Sequence, residues 1–256
     1  MLSLPLCRYI LTAVARDRIV QLMIVLMALG TATSIFLGSA AVTEQQAFTI
    51  ATIATALRTL SVLGLVIFIS FFVRRAFESR EIDYLLATPL TRHRLLMSFA
   101  VAFVIVALIF SAMIAAIVLV LAPKITQGYL MWSASVVVEL SITCMVALFF
   151  SIVLKSATVS ALCSLGYYSL CRMLGAMIGI SATKFDGGSV LVNQIVSYVI
   201  KIISTVVPRF DLLAQSAWLV YGKAEGMPLW MMPVQLIVFC VLFFVCAAFD
   251  LRRSQF

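Results

Sequence analysis

Six runs of predominantly apolar residues, at about 19–41, 48–73, 96–122, 130–153, 158–180 and 229–249, are separated by more polar stretches, short except for 181–228. A hydrocarbon core about 30 Å thick takes roughly 20 helical residues per crossing, so each run can span a bilayer. Within lipid every backbone N–H and C=O must be satisfied inside the segment, which an open chain achieves only as a helix. The pattern therefore predicts an all-α integral membrane protein, a single domain over 1–256 with six transmembrane helices. Ahead of the first run, in 4–18, Leu6, Ile10, Leu11 and Val14 recur at helical spacing opposite Arg8, Thr12 and Arg16. That amphipathic stretch predicts a helix lying in the membrane interface. Small residues Gly38 to Ala41 follow the first run, but about 18 residues precede it, which reads as a span rather than a cleavable signal.

The largest polar interval is 181–228. Within 190–207, Val192, Ile195, Val196, Val199, Ile202, Ile203 and Val206 form one helical face, and Gln194, Ser197, Lys201, Ser204 and Thr205 form the other. A seventh span is the rival reading, but it would move Arg252 and Arg253 to the outer side. An amphipathic helix on the outer leaflet is preferred. It stops at Pro208, and a second short helix is expected over 210–221, with Trp218 and Tyr221 suited to the interface. Pro208, Phe210, Asp211, Trp218 and Tyr221 are then expected to cap the outer end of the bundle.

Composition narrows the class. Of 256 residues, 64% are hydrophobic and 11% charged, at a mean hydropathy of +1.18, whereas soluble domains carry roughly a quarter charged residues. A soluble globular enzyme is excluded. Basic residues set the orientation: Arg8, Arg16, Arg18, Arg74, Arg75, Arg80, Arg92, Arg94, Lys155, Arg252 and Arg253 fall on one side, against Lys124, Lys184, Lys201, Arg209 and Lys223 on the other. The positive-inside rule places both termini in the cytoplasm, so the net charge of +8 reflects topology and no nucleic-acid partner is expected. The six cysteines contain no C-x-x-C pair and sit mostly in apolar runs, as small buried hydrophobes. With one histidine, His93, no metal centre is expected.

The connection between the second and third runs, 74–95, is dense in charge of both signs. Phe77, Ile82, Leu85 and Leu86 share a helical stripe, while Glu78, Arg80, Glu81 and Asp83 lie elsewhere on the surface and Pro89 ends the turn. The arginines alone fit any inner loop; the acidic residues and Thr88-Pro89-Leu90-Thr91-Arg92 add to that pattern. On Glu81, Leu85, Leu86, Pro89, Leu90, Thr91 and Arg92 this stretch resembles the loop of ABC-transporter permeases of the type-2 exporter class. There, an acidic helix bearing Leu-Leu ends in Pro, an aliphatic residue, Ser or Thr, and Arg. The resemblance extends to six spans, an amphipathic first helix and a long outer segment before the last span, here with 208–211 ahead of Tyr221-Gly222. One departure is that the family commonly has Gly before Leu-Leu, where this chain has Asp83-Tyr84, which leaves the subfamily and the cargo open.

The resemblance implies a coupling role for Glu78, Arg80, Glu81, Asp83, Tyr84, Leu85, Leu86, Pro89, Leu90, Thr91 and Arg92, docking in a groove of a separate nucleotide-binding ATPase subunit. It further implies a second permease subunit, identical or not, and a place in the cytoplasmic (inner) membrane of a prokaryote. The chain has no G-x-x-x-x-G-K-[ST] phosphate loop, so ATP and Mg belong on the partner and no cofactor is expected in this chain. No G-x-S-x-G elbow or H-E-x-x-H occurs, which disfavours an intramembrane enzyme. A noncatalytic scaffold or channel subunit of an envelope complex, which needs no coupling helix, is the alternative.

Three charges fall inside spans: Arg58, Glu139 and Arg172. At ~1.5 Å per residue each lies roughly 12 to 15 Å below the outer end of its run, so the three share a depth. An ionised side chain there costs a few kcal/mol unless paired or hydrated. Two readings stand, an internal ion cluster that fixes helix packing and a polar patch facing a cargo path. The fifth run ends with Gly175-x-x-x-Gly179, for which packing within the chain is the default.

Overall fold

The computed structural model describes residues 4–40, 44–78, 92–182, 198, 207–223 and 228–253. Among them every regular element is helical, in the order α1 (Leu4–Arg16), α2 (Arg18–Ser39), α3 (Gln45–Glu78), α4 (Arg92–Leu121), α5 (Gln127–Val153), α6 (Ala157–Ala182), α7 (Ser216–Tyr221) and α8 (Met231–Arg253). Six of these, α2 to α6 and α8, are long and apolar enough to cross a membrane. The chain is accordingly an all-α, multi-pass membrane protein. The amphipathic stretch expected over 190–207 lies outside the described residues except for Tyr198 and Val207.

Local chemistry sets the breaks. Asp17 alone separates α1 from α2; it is extended, and its side chain accepts from Ile19 N–H at 2.8 Å, satisfying one orphan donor at the start of α2. Thr126 does the same for α5, accepting from Tyr129 N–H at 3.2 Å. Pro123 follows the end of α4, where it interrupts no helical ladder. At the end of α7, Gly222 adopts a left-handed φ of 71° and donates its N–H to Trp218 C=O at 3.1 Å.

α5 is the hub, packing against α3, α4, α6, α7 and α8. Its apolar window is 72% buried and that of α3 61%, against 22% for α2 and α6, so two central helices are wrapped by others that keep one side open. Those open sides carry Leu22, Phe36, Ile109, Leu162, Met173 and Phe249, a surface for which lipid rather than water is the compatible solvent. α3 and α4 are locked by an aromatic ladder in which Phe68, Phe72, Phe99 and Phe103 stack at centroid separations of 5.4 to 6.3 Å. Phe149, Tyr167 and Phe243 make the corresponding joint among α5, α6 and α8. Most buried hydroxyls are satisfied within their own helix: those of Ser111, Thr143, Ser151 and Ser164 each bond a carbonyl one turn back, whereas Ser70 Oγ has no partner among the described residues. α1 lays its apolar face, with Leu6, Cys7, Ile10 and Val14 buried, against α4 and α2 and leaves Arg8, Thr12 and Arg16 exposed.

Candidate functional site

The most polar interior region is built from α3, α5, α6 and the non-helical backbone of 207–215 that precedes α7. Glu139, completely buried on α5, lies 3.8 Å from Arg58 Nε of α3, an ion pair too long to be a direct hydrogen bond. Its Oε1 accepts instead from the Tyr168 hydroxyl of α6 at 2.6 Å. Arg58 donates from its Nη1 to Ala214 C=O at 2.8 Å. Arg172, one turn beyond Tyr168, does not reach Glu139; its Nη1 donates to Phe210 C=O and, at 2.8 Å, to Leu213 C=O. The three charges thus divide, with Arg58 and Glu139 paired and Arg172 devoted to backbone carbonyls.

The segment 207–215 has turns in place of a helix, with Phe210 N–H donating to Pro208 C=O and Leu213 N–H to Phe210 C=O. Several of its carbonyls therefore have no helical partner, and irregular backbone packed among apolar spans is tolerated only where protein satisfies it. The two guanidiniums do so, and the carbonyls in turn replace the water that each cation loses. Ala214 carries the tightest requirement. It holds φ at 49°, a left-handed conformation costing about 1 kcal/mol or more for an L residue other than glycine. Both its polar groups are occupied, the C=O by Arg58 and the N–H by Ser135 Oγ at 2.9 Å. Glu139 Oε2 and Arg58 Nε are buried with no hydrogen-bond partner among the described residues.

Two glycines let this cap approach the bundle. A Cβ at Gly128 would lie 2.0 Å from Trp218 C=O, and one at Gly175 would lie 2.7 Å from Asp211 Oδ2. Gly179 has nothing within 4 Å at that position among the described residues, so the first half of the G-x-x-x-G serves the cap and the second half has no close neighbour among them. Gly128→Ala and Gly175→Ala are expected to lower the stability of the solubilised protein by about 1–3 kcal/mol each, through overpacking against the cap. Gly166→Ala and Gly179→Ala, with nothing near the added methyl among the described residues, should stay within about 0.5 kcal/mol. Thermal unfolding of the four variants in one detergent is the check.

The expected cap residues are distributed as follows. Pro208 and Phe210 are buried, Phe210 packing 5.6 Å from the Tyr168 ring. Asp211 pairs with Arg209 at 2.9 Å. Trp218 is turned into the bundle at 2% exposure rather than toward an interface, while Tyr221 is 78% exposed. Of the expected coupling residues, Glu78 ends α3 and pairs with Arg74 at 2.9 Å, and Arg92 opens α4. Arg80, Glu81, Asp83, Tyr84, Leu85, Leu86, Pro89, Leu90 and Thr91 lie outside the described residues. Sequence reasoning missed Tyr168 and Ser135. The available signal was spacing: each stands four residues ahead of a charge within a span, Arg172 and Glu139, on the same helical face. No group of three or more metal-ligating side chains occurs among the described residues. No protein-family model matches the chain, and no curated protein matches it.

Proposed function

We propose that this chain is the membrane-spanning permease subunit of an ATP-driven exporter, working with a second permease subunit and with separate nucleotide-binding ATPase subunits. The observation that carries the reading is the sequence of 79–92, with its mixed charge, Leu85-Leu86 and Pro89-Leu90-Thr91-Arg92, at the connection between two long helices. The mechanics are favourable. α3 runs 34 residues, about 50 Å, and the phenylalanine ladder braces its lower half to α4. A displacement applied at Glu78 would travel along α3 to Arg58, which holds the cap at Ala214. A short amphipathic helix at 79–91 would lay its apolar stripe in a groove of the ATPase, with its charges setting register at the rim. On this reading the loop faces the cytoplasm, as the basic residues of that side require, and the cap closes the outer end. The resting structure is then outward-closed, with Arg58 and Arg172 as its latches.

The test is recovery of the partner. Purified gently from its native membrane, the chain should carry an ATPase subunit whose turnover rises when the two are reconstituted in lipid. A scaffold or channel subunit would bring no such enzyme, or one indifferent to the chain.

A further inference from the structure

Where α1, α2 and α3 meet, a cavity of about 220 Å³ opens beside Arg16, Asp17 and Arg75, with Tyr9 at its rim and Phe72 and Ala76 lining it from α3. It is smaller than the roughly 300–1,000 Å³ pockets that take drug-sized ligands, so only a small group fits. Its charges are unbalanced, with two guanidiniums facing one carboxylate. Arg16 is exposed and forms no ion pair among the described residues. Arg75 Nη1 stands 3.6 Å from Asp17 Oδ2, beyond the ~2.7–2.9 Å of a charge-assisted hydrogen bond, and its side chain is 66% exposed. Asp17 is divided, its Oδ1 capping α2 while its Oδ2 faces Arg75. The site therefore has a net positive charge, guanidinium donors not saturated by Asp17 and an apolar lining, and lies where a span-length helix begins, the part of a span that the positive-inside pattern assigns to the headgroup region.

We infer that this cavity binds the phosphate of an anionic phospholipid, with Arg16 and Arg75 as a paired fork on its oxygens and Phe72 and Ala76 against the glycerol carbons. Guanidinium geometry matches phosphate in a way a lone ammonium does not. A zwitterionic headgroup would bring its own cation against the two arginines, so phosphatidylglycerol is favoured over phosphatidylcholine. The bound lipid would tie α1 to the end of α3, three residues before Glu78, making the stiffness of that junction depend on membrane composition. The inference does not depend on the transport reading.

Native mass spectrometry of the full chain, released from nanodiscs of equimolar phosphatidylglycerol and phosphatidylcholine, is the test. The wild-type chain should retain phosphatidylglycerol preferentially, and Arg16→Gln/Arg75→Gln should lose about tenfold of that preference, as expected for lost charge-assisted hydrogen bonds. Asp17→Asn keeps the capping oxygen but removes the competing charge, so it should strengthen retention. Millimolar inorganic phosphate should leave the lipid in place; displacement would assign the site to free phosphate instead. Equal preference in the double variant, or weaker retention in Asp17→Asn with the helical circular dichroism intact, would overturn the inference.

Discussion

On the proposed permease reading, Leu85→Asp and Leu86→Asp are each expected to abolish ATP-driven transport while leaving the bundle folded. An ionised carboxylate set unpaired against an apolar groove costs at least ~3 kcal/mol, and each ~1.4 kcal/mol is tenfold in occupancy. Engagement of the ATPase should therefore drop about a hundredfold, and with it both cargo movement and the chain's stimulation of ATP turnover. The loop is joined to the ends of two helices that are braced by Phe68, Phe72, Phe99 and Phe103, so stability of the solubilised protein should change little. Leu90→Ala removes apolar area without adding charge and should give a partial loss. Wild-type transport with full ATPase stimulation in both Asp variants is incompatible with the loop being the coupling element.

Glu139→Leu is expected to be the most destabilising substitution in the bundle core. It strands Arg58, which is 6% exposed, as a buried cation without its counter-charge, a change that costs about 3–5 kcal/mol. It also removes the acceptor of the Tyr168 hydroxyl. Glu139→Gln keeps that acceptor and should lose less. The double variant Arg58→Leu/Glu139→Leu removes both charges yet frees the carbonyl of Ala214, whose left-handed backbone depends on it, so it should recover only part of the loss. Thermal unfolding midpoints should rank wild type, Glu139→Gln, the double variant, then Glu139→Leu. Full recovery in the double variant would show that the cap does not rely on Arg58.

Much of the scaffold is written plainly in the chain, because lipid imposes one strong rule. Apolar runs near 20 residues must be helices, and six such helices are present. Their ends are less legible. α3 continues to Glu78 and α4 starts at Arg92, carrying helix past the apolar runs into charged sequence, since an established helix propagates through Arg-Arg-Ala-Phe-Glu at little cost. The interior charges could be found from their place within apolar runs. Their partners could not. Arg172 and Arg58 bond carbonyls of Phe210, Leu213 and Ala214, and a carbonyl at a residue leaves no mark in sequence. Nor does Ala214 advertise its positive φ, which glycine or asparagine would have signalled. Gly175 reads as half of a helix-pairing motif until the cap is seen against it. The meaning of 79–91 rests on sequence pattern, since those residues lie outside the described structure.

A photo-reactive amino acid at position 85, irradiated in native membranes with and without ATP, tests the coupling role most directly. Attachment of this chain to a nucleotide-binding polypeptide, in a yield that changes with nucleotide, is the predicted result. Adducts confined to lipid and to this chain itself, with no ATPase captured under either condition, would contradict it.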